Sequence, residues 1–237
     1  MGEHITFSEP NHTEWTIVAR ISQQNSQNDE SDVEAGYGPS YAVATFRVSR
    51  DLDGQQAYMR VYLQVPHQGT EFFPPNERAK QAAARGHCEV EAIRAFHKQN
   101  STITPALLGI KEDVQDQQGV IPGGYAIHFV FQRVPGYRLW EDHVMPKYRA
   151  QPHRFFTDFT LPERDQIRES FNKGYRELNK LDGDVHKAGS HDEDVVPDGN
   201  DTLEPKEMAP IVRWGIWGLA IPPDKRQELA DISKWTL

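Results

Sequence analysis

Apolar and polar positions alternate most clearly in "AYMRVYLQVP". Ala57, Met59, Val61, Leu63 and Val65 fall on one side of an extended chain, and Tyr58, Arg60, Tyr62 and Gln64 on the other. The run before it, "YAVATFRV", is rich in β-branched and aromatic residues. The two are joined through "RDLDGQQ", so the pair predicts an antiparallel hairpin. "EWTIVARIS" predicts an earlier strand, "ITPALLGIKED" a later one, and Tyr125 to Val134 a strong one ended by "VPGY". Between the first strand and the hairpin, residues 22–35 are polar, acidic and free of aromatics, the pattern of a mobile loop.

Two stretches carry a helical period. Pro74 to Asn100 opens with Pro-Pro and is rich in alanine, and Gly86 divides it into two helices. In the second, Val90, Ile93 and Phe96 line one face. From Leu161 to Leu181, Ile167, Phe171, Tyr175, Leu178 and Leu181 form a stripe. Thr160 and Glu163 have the spacing of a capping box in front of it. The polar stretch that follows, with "GDVHKAGS" at Gly183–Ser190, has no clear period and reads as a loop. The chain closes with a Trp-rich apolar segment and a short helix opened by Pro-Pro-Asp. Five strands with one helical segment after the third make an N-terminal α+β unit; the rest is mainly helical.

Composition narrows the classes. A chain of 237 residues is long enough for a real core. The formal net charge of -9 argues against a general nucleic-acid binder, and no apolar run approaches a membrane span. Cys88 is the single cysteine, which excludes an intramolecular disulfide and a Cys-rich zinc site. The opening "MGEHITFSEPNHTEWT" lacks the regions of a signal peptide, so a cytoplasmic location is expected.

Candidate chemistry is sparse. His128 sits inside the strong strand, where it is either a satisfied core residue or an acid–base group facing a ligand. His186, His191, Asp192 and Asp194 cluster in sequence but fit no metal motif, and no metal is expected. No G-x-S-x-G elbow is present. Tyr37, Tyr41, Tyr58, Tyr62, Phe72 and Phe73 can stack on a planar ligand or pack a core.

In order along the chain, "AYMRVYLQVPHQGTEFFPP", "EVEAIRAF", "TPALLG", "PGGYAIHFVFQRVPGYRL" and "WGLAIPP" resemble the fungal protein-kinase-like proteins, distant relatives of aminoglycoside phosphotransferases. The likeness is strongest from Tyr41 to Leu181. It implies an α+β, protein-kinase-like two-lobed fold. Residues 1–136 would be an antiparallel five-stranded N-lobe with an inserted helical segment, and residues 137–237 a reduced helical C-lobe. Phosphoryl transfer in such a fold depends on positioning and charge. By resemblance, Gly36 and Gly38 would stand at the phosphate loop, and Arg60 in the slot of the third-strand lysine. Glu89, with Glu91 as the other candidate, would be the helix carboxylate that orients Arg60, and Gln132–Pro135 the hinge. Asp184 would be the remnant of the catalytic aspartate. The asparagine expected five residues beyond it is replaced by Gly189, so ATP and magnesium are doubtful cofactors. The implied function is a degenerate kinase-like protein binding a nucleotide or other small molecule in an interlobe cleft without phosphoryl transfer. Two alternatives stay open. One is non-phosphoryl chemistry, such as isomerisation or cyclisation in fungal natural-product metabolism. The other is an ATP-dependent small-molecule phosphotransferase.

Overall fold

A computed structural model describes residues 2–135 and 154–188. The chain divides into two compact units, Met1–Val134 and Pro135–Leu237. The first unit carries strands β1 (His4–Phe7), β2 (Thr13–Ser26), β3 (Tyr41–Arg50), β4 (Gln56–Gln64), β5 (Leu107–Val114) and β6 (Tyr125–Gln132). Its helices are α1 (Glu30–Glu34), α2 (Pro75–Arg78) and α3 (Cys88–Lys98). The described part of the second unit holds α4 (Arg154–Thr157) and α5 (Leu161–Ala188).

The six strands form one antiparallel sheet in the order β1-β2-β3-β4-β6-β5. The sheet curls until its edge strands nearly meet. The amide of Ile110 donates to Glu9 O at 2.8 Å, and Thr13 Oγ1 donates to Leu108 O at 3.3 Å. Gly109 permits this approach, because a Cβ built there would lie 2.8 Å from Cγ of Phe7. A protein-kinase-like two-lobed fold with a five-stranded N-lobe is therefore not what this chain forms. Among the described residues the sheet has six strands and is almost closed on itself, and few helices accompany it.

Two cores hold the sheet, one on each face. The inner face buries Ile5, Phe7, Trp15, Val48, Ala57, Met59 and Val130. On the outer face α3 packs Val90 and Ile93 onto Tyr62, Leu107, Ile110, Tyr125, Ile127 and Phe129. Each fully buried large apolar side chain stabilises the fold by about 1.5–3 kcal/mol. The alternation in β4 places Ala57 and Met59 inside, as their spacing predicts. The opposite face is not open, however: Tyr62 and Gln64 are buried there. Gln64 is buried in a polar setting, its Nε2 donating to Gln81 O at 2.6 Å and its Oε1 accepting from Ala83 N at 3.2 Å.

Other expectations are corrected locally. The sixth strand is the short β1, whose Ile5 and Phe7 point inward and whose His4 and Thr6 stay exposed. The expected loop at 22–35 is ordered at both ends. β2 continues through Ser26, paired with Tyr41, because ladder hydrogen bonds need no apolar side chains. α1 follows, closed by a capping box in which Asp29 Oδ1 accepts from Asp32 N at 2.9 Å and Asp32 Oδ2 from Asp29 N at 3.3 Å. The long helical stretch from Pro74 yields only α2 and one 3-10 turn before the chain extends; α3 then begins at Cys88.

In the second unit the Glu163 half of the predicted capping box forms: Thr160 N and Oγ1 each donate to Glu163 Oε2 at 2.8 Å. These bonds hold the Glu163 carboxyl below its ordinary pKa. Phe155 is fully buried, with the Arg168 guanidinium 5.3 Å from its ring centre. α5 does not stop at Leu181 but continues to Ala188. Gly183 costs only about 1 kcal/mol in a helix, and no proline interrupts the segment. Gly189, Ser190, His191, Asp192, Asp194 and the Trp-rich end lie outside the described residues.

Candidate functional site

Arg60 and Glu89 meet. The Arg60 Nη1 donates directly to Glu89 Oε1, forming an ion pair between β4 and the first turn of α3. Tyr62, two residues along the same face, donates its hydroxyl to Glu89 Oε2 at 2.6 Å. Arg60 Nε donates to Thr45 Oγ1 on β3 at 3.3 Å. Register explains the assembly, since Thr45 pairs with Arg60 and Arg60 with Phe129 across the ladder. Glu89 belongs where it is because a helix N-terminus favours a negative charge. Burial and then Glu89 push the Tyr62 hydroxyl well above the ordinary tyrosine pKa, so it remains a donor.

Beyond the end of this cluster the face opens. Arg47, Tyr58 and Phe131 stand in one cross-strand row next to Arg60. The Tyr58 and Phe131 ring centres are 5.9 Å apart, and the Arg60 guanidinium carbon is 5.9 Å from the Phe131 ring. Arg47 is exposed and has no ion pair among the described residues. Arg60 keeps 30% of its side chain exposed.

On the other side, an aromatic box surrounds His87. Its ring stacks on Tyr62 at 4.0 Å, meets Tyr41 edge-on at 4.9 Å, and its Nε2 contacts Tyr125 Oη at 3.2 Å. Burial, with Arg85 nearby, lowers the His87 pKa to about 4. Burial also raises the Tyr125 hydroxyl to about 12.

The remaining predicted residues stand apart from Arg60. Gly36 and Gly38 take left-handed φ angles of 90° and 78° in the turn before β3. That turn is already engaged. Gly36 N donates to Val33 O and Tyr37 N to Asp32 O, each at 3.0 Å. Arg85 Nη1 donates to Tyr37 O at 3.1 Å and to Pro39 O at 2.7 Å. The Gly36 and Tyr37 amides are thus committed to α1, and Arg85 takes up two carbonyls of the turn. Gln132 ends β6 opposite Ala57, on the inner-face register, and its N–H is spent on Ala106 O at 2.9 Å. His128 pairs with Val61 and Lys111, also on the inner-face register and so across the sheet from Arg60. Its Nδ1 is buried without a hydrogen bond, and burial, with Lys111 nearby, lowers its pKa to about 4. It shares no site with Arg60, and with Nδ1 unpartnered among the described residues it is not the satisfied core histidine that the strand pattern allowed. Asp184 lies in the helical backbone of α5, so the loop expected to present it is absent.

Of the sequence candidates, only Arg60 and Glu89 come together. Tyr62 and Tyr58 share their face by the alternation in β4 and were legible as neighbours of Arg60. Thr45, Arg47 and Phe131 join only through strand register, which one sequence does not supply. Among the described residues there is no group of three or more His, Cys, Asp or Glu side chains arranged to hold a metal, and no helix long and apolar enough to cross a membrane. No family model, curated protein or solved structure matches the chain.

Proposed function

We propose that this protein binds a small planar acid, such as a nucleotide or an aromatic carboxylate, on the open outer face around Arg60, without phosphoryl transfer. One observation carries the reading: Arg60 is oriented by Glu89 and Thr45 yet stays part-exposed beside the Tyr58–Phe131 ring pair. A guanidinium fork held in this way can take a carboxylate or phosphate oxygen while a neighbouring ring packs on the ligand plane. Arg47 adds a second positive charge on the same face. Pre-orientation supports affinity because the arginine does not have to be ordered on binding. The absence of a catalytic loop at Gly183–Ala188 supports binding over phosphoryl transfer.

Thermal melting with ATP, with ATP and magnesium, and with 4-hydroxybenzoate tests this. A ligand that binds only the native state at a hundredfold excess over its dissociation constant stabilises by about 2.7 kcal/mol. A shift with at least one probe, lost in both Arg60→Ala and Arg47→Ala, is expected. Magnesium dependence would identify phosphate as the anion recognised. No shift with any probe at millimolar concentration, or shifts unchanged in both variants, would overturn the proposal.

A further inference from the structure

Positive and negative side chains nearly cancel on the outer face around Arg60. The Arg60 guanidinium is ion-paired with Glu89, so the two together are formally neutral. Arg47 is the uncompensated cation: it is exposed, stands opposite Tyr58 and forms no ion pair among the described residues. On the far side of the Arg47 row, Thr16, Ser49 and Gln56 pair across β2, β3 and β4. There Thr16 Oγ1 donates to Asp51 Oδ1 at 2.5 Å. Acids therefore flank the row on both sides, Glu89 bonded to Arg60 and Asp51 bonded to Thr16. Arg133, the next cation, follows β6 beyond the end of its ladder.

Hydrogen-bond donors on this face come from side chains. β3 and β4 each have a strand on both sides, so their amides are held in ladders. A nest of backbone N–H groups, the usual phosphate cradle, is not what this face presents. Arg60 already directs Nε to Thr45 and Nη1 to Glu89, so part of its fork is spent.

On the reading of Arg60 as a ligand site, we infer that the site selects an aromatic monocarboxylate over an aryl phosphate or a nucleotide, and that Arg47 sets this preference. Arg47 supplies one uncompensated positive charge, and a carboxylate returns one negative charge. A phosphate monoester carries about 1.5–2 negative charges at neutral pH. The excess would fall between Glu89 and Asp51, in a chain of net charge -9. Shape acts in the same direction. An aryl carboxylate is flat, so its ring can lie against Tyr58 or Phe131 while its oxygens meet the arginines in the same plane. A tetrahedral phosphate stands out of that plane.

Benzoate, phenyl phosphate and benzamide test this, since they share one ring and differ in the charge of the head group. The full chain is titrated with each at about pH 7.5, following the Tyr58 and Phe131 ring protons and the Arg60 Nε–H signal by NMR. Benzoate is expected to bind roughly fivefold or more tightly than either of the others. Arg47→Ala should bring benzoate down to the affinity of benzamide. Gln56→Lys adds a positive charge in the adjoining row, and Glu89→Gln removes a negative one. Each should move the ratio of benzoate to phenyl phosphate affinity toward phosphate. The ratio is the readout because lost orientation of Arg60 weakens both ligands alike, and Gln56→Lys keeps the test decisive if Glu89→Gln disturbs the fold. Phenyl phosphate or benzamide binding as tightly as benzoate overturns the inference while the site itself stands. A ratio unmoved in both charge variants overturns charge balance as its cause. Binding of none of the three overturns the site, and the inference with it.

Discussion

Lowering the pH from 7.5 to 5 should destabilise this protein through two histidines. His87 is closed in by Tyr62, Tyr41 and Tyr125, and His128 lies on the inner-face register beside Lys111. Both have pKa values lowered from 6.5 to about 4, chiefly by burial. The folded state therefore resists protonation that the unfolded chain accepts. Their contribution is fully present above about pH 6.5 and is lost as the pH falls toward 4. At pH 5 the unfolded imidazoles are almost wholly charged and the folded ones almost wholly neutral. The difference is about 2 kcal/mol for each histidine, about 4 together. That is a large share of the roughly 5–15 kcal/mol typical of a folded domain. The depressed carboxylates Asp29, Asp51, Asp53 and Glu163 start from 3.8 or 4.5, so their loss falls mostly below this window. Urea unfolding at both pH values measures the change, and His87→Gln and His128→Gln should each remove about half of it. Equal stability at pH 7.5 and pH 5, or imidazole signals of both rings titrating near 6.5 in the native protein, would refute the reasoning.

Three further outcomes follow from named contacts. A double-mutant cycle with Arg60→Met and Glu89→Gln should give a coupling of about 1 kcal/mol, between the values of exposed and buried pairs, since each partner keeps about a third of its side chain exposed; a coupling near zero by urea unfolding would dissolve the ion pair as an organising contact. Gly109→Ala drives a methyl group against Phe7 at the seam of the sheet and should cost about 1–3 kcal/mol, with faster hydrogen exchange at the Ile110 amide. Met59→Ala removes a fully buried side chain from the inner core and should cost about 2–5 kcal/mol in the same assay.

The hairpin of β3 and β4, the strand at Tyr125, the helix from Leu161 and its Thr160–Glu163 contact were all legible, because each has a strong local period or a local hydrogen-bonding signature. What sequence did not show was long-range. β1 has only four residues, and its value comes from pairing with Thr13–Thr16 and leading to Glu9, which meets Ile110. The polar half of β2 has no apolar alternation because both its faces are exposed, so only its ladder to β3 marks it as strand. The alternation in β4 separated Arg60 from Met59 correctly. It could not show that α3 would cover Tyr62 while leaving the row of Arg47, Tyr58 and Phe131 open. The resemblance to protein-kinase-like proteins led to the Arg60–Glu89 pairing, but the architecture it implied gives way to the nearly closed six-stranded sheet.

The most direct test of ligand binding at Arg60 is an NMR titration of the full chain with ATP and with 4-hydroxybenzoate, following the Arg60 Nε–H signal and the Tyr58 and Phe131 ring protons. Saturable shifts that centre on these three residues, and on Arg47, are the predicted result. Ring and guanidinium signals that stay fixed while the ligand is raised to millimolar concentration, or shifts that map to the inner face around His128, would contradict it.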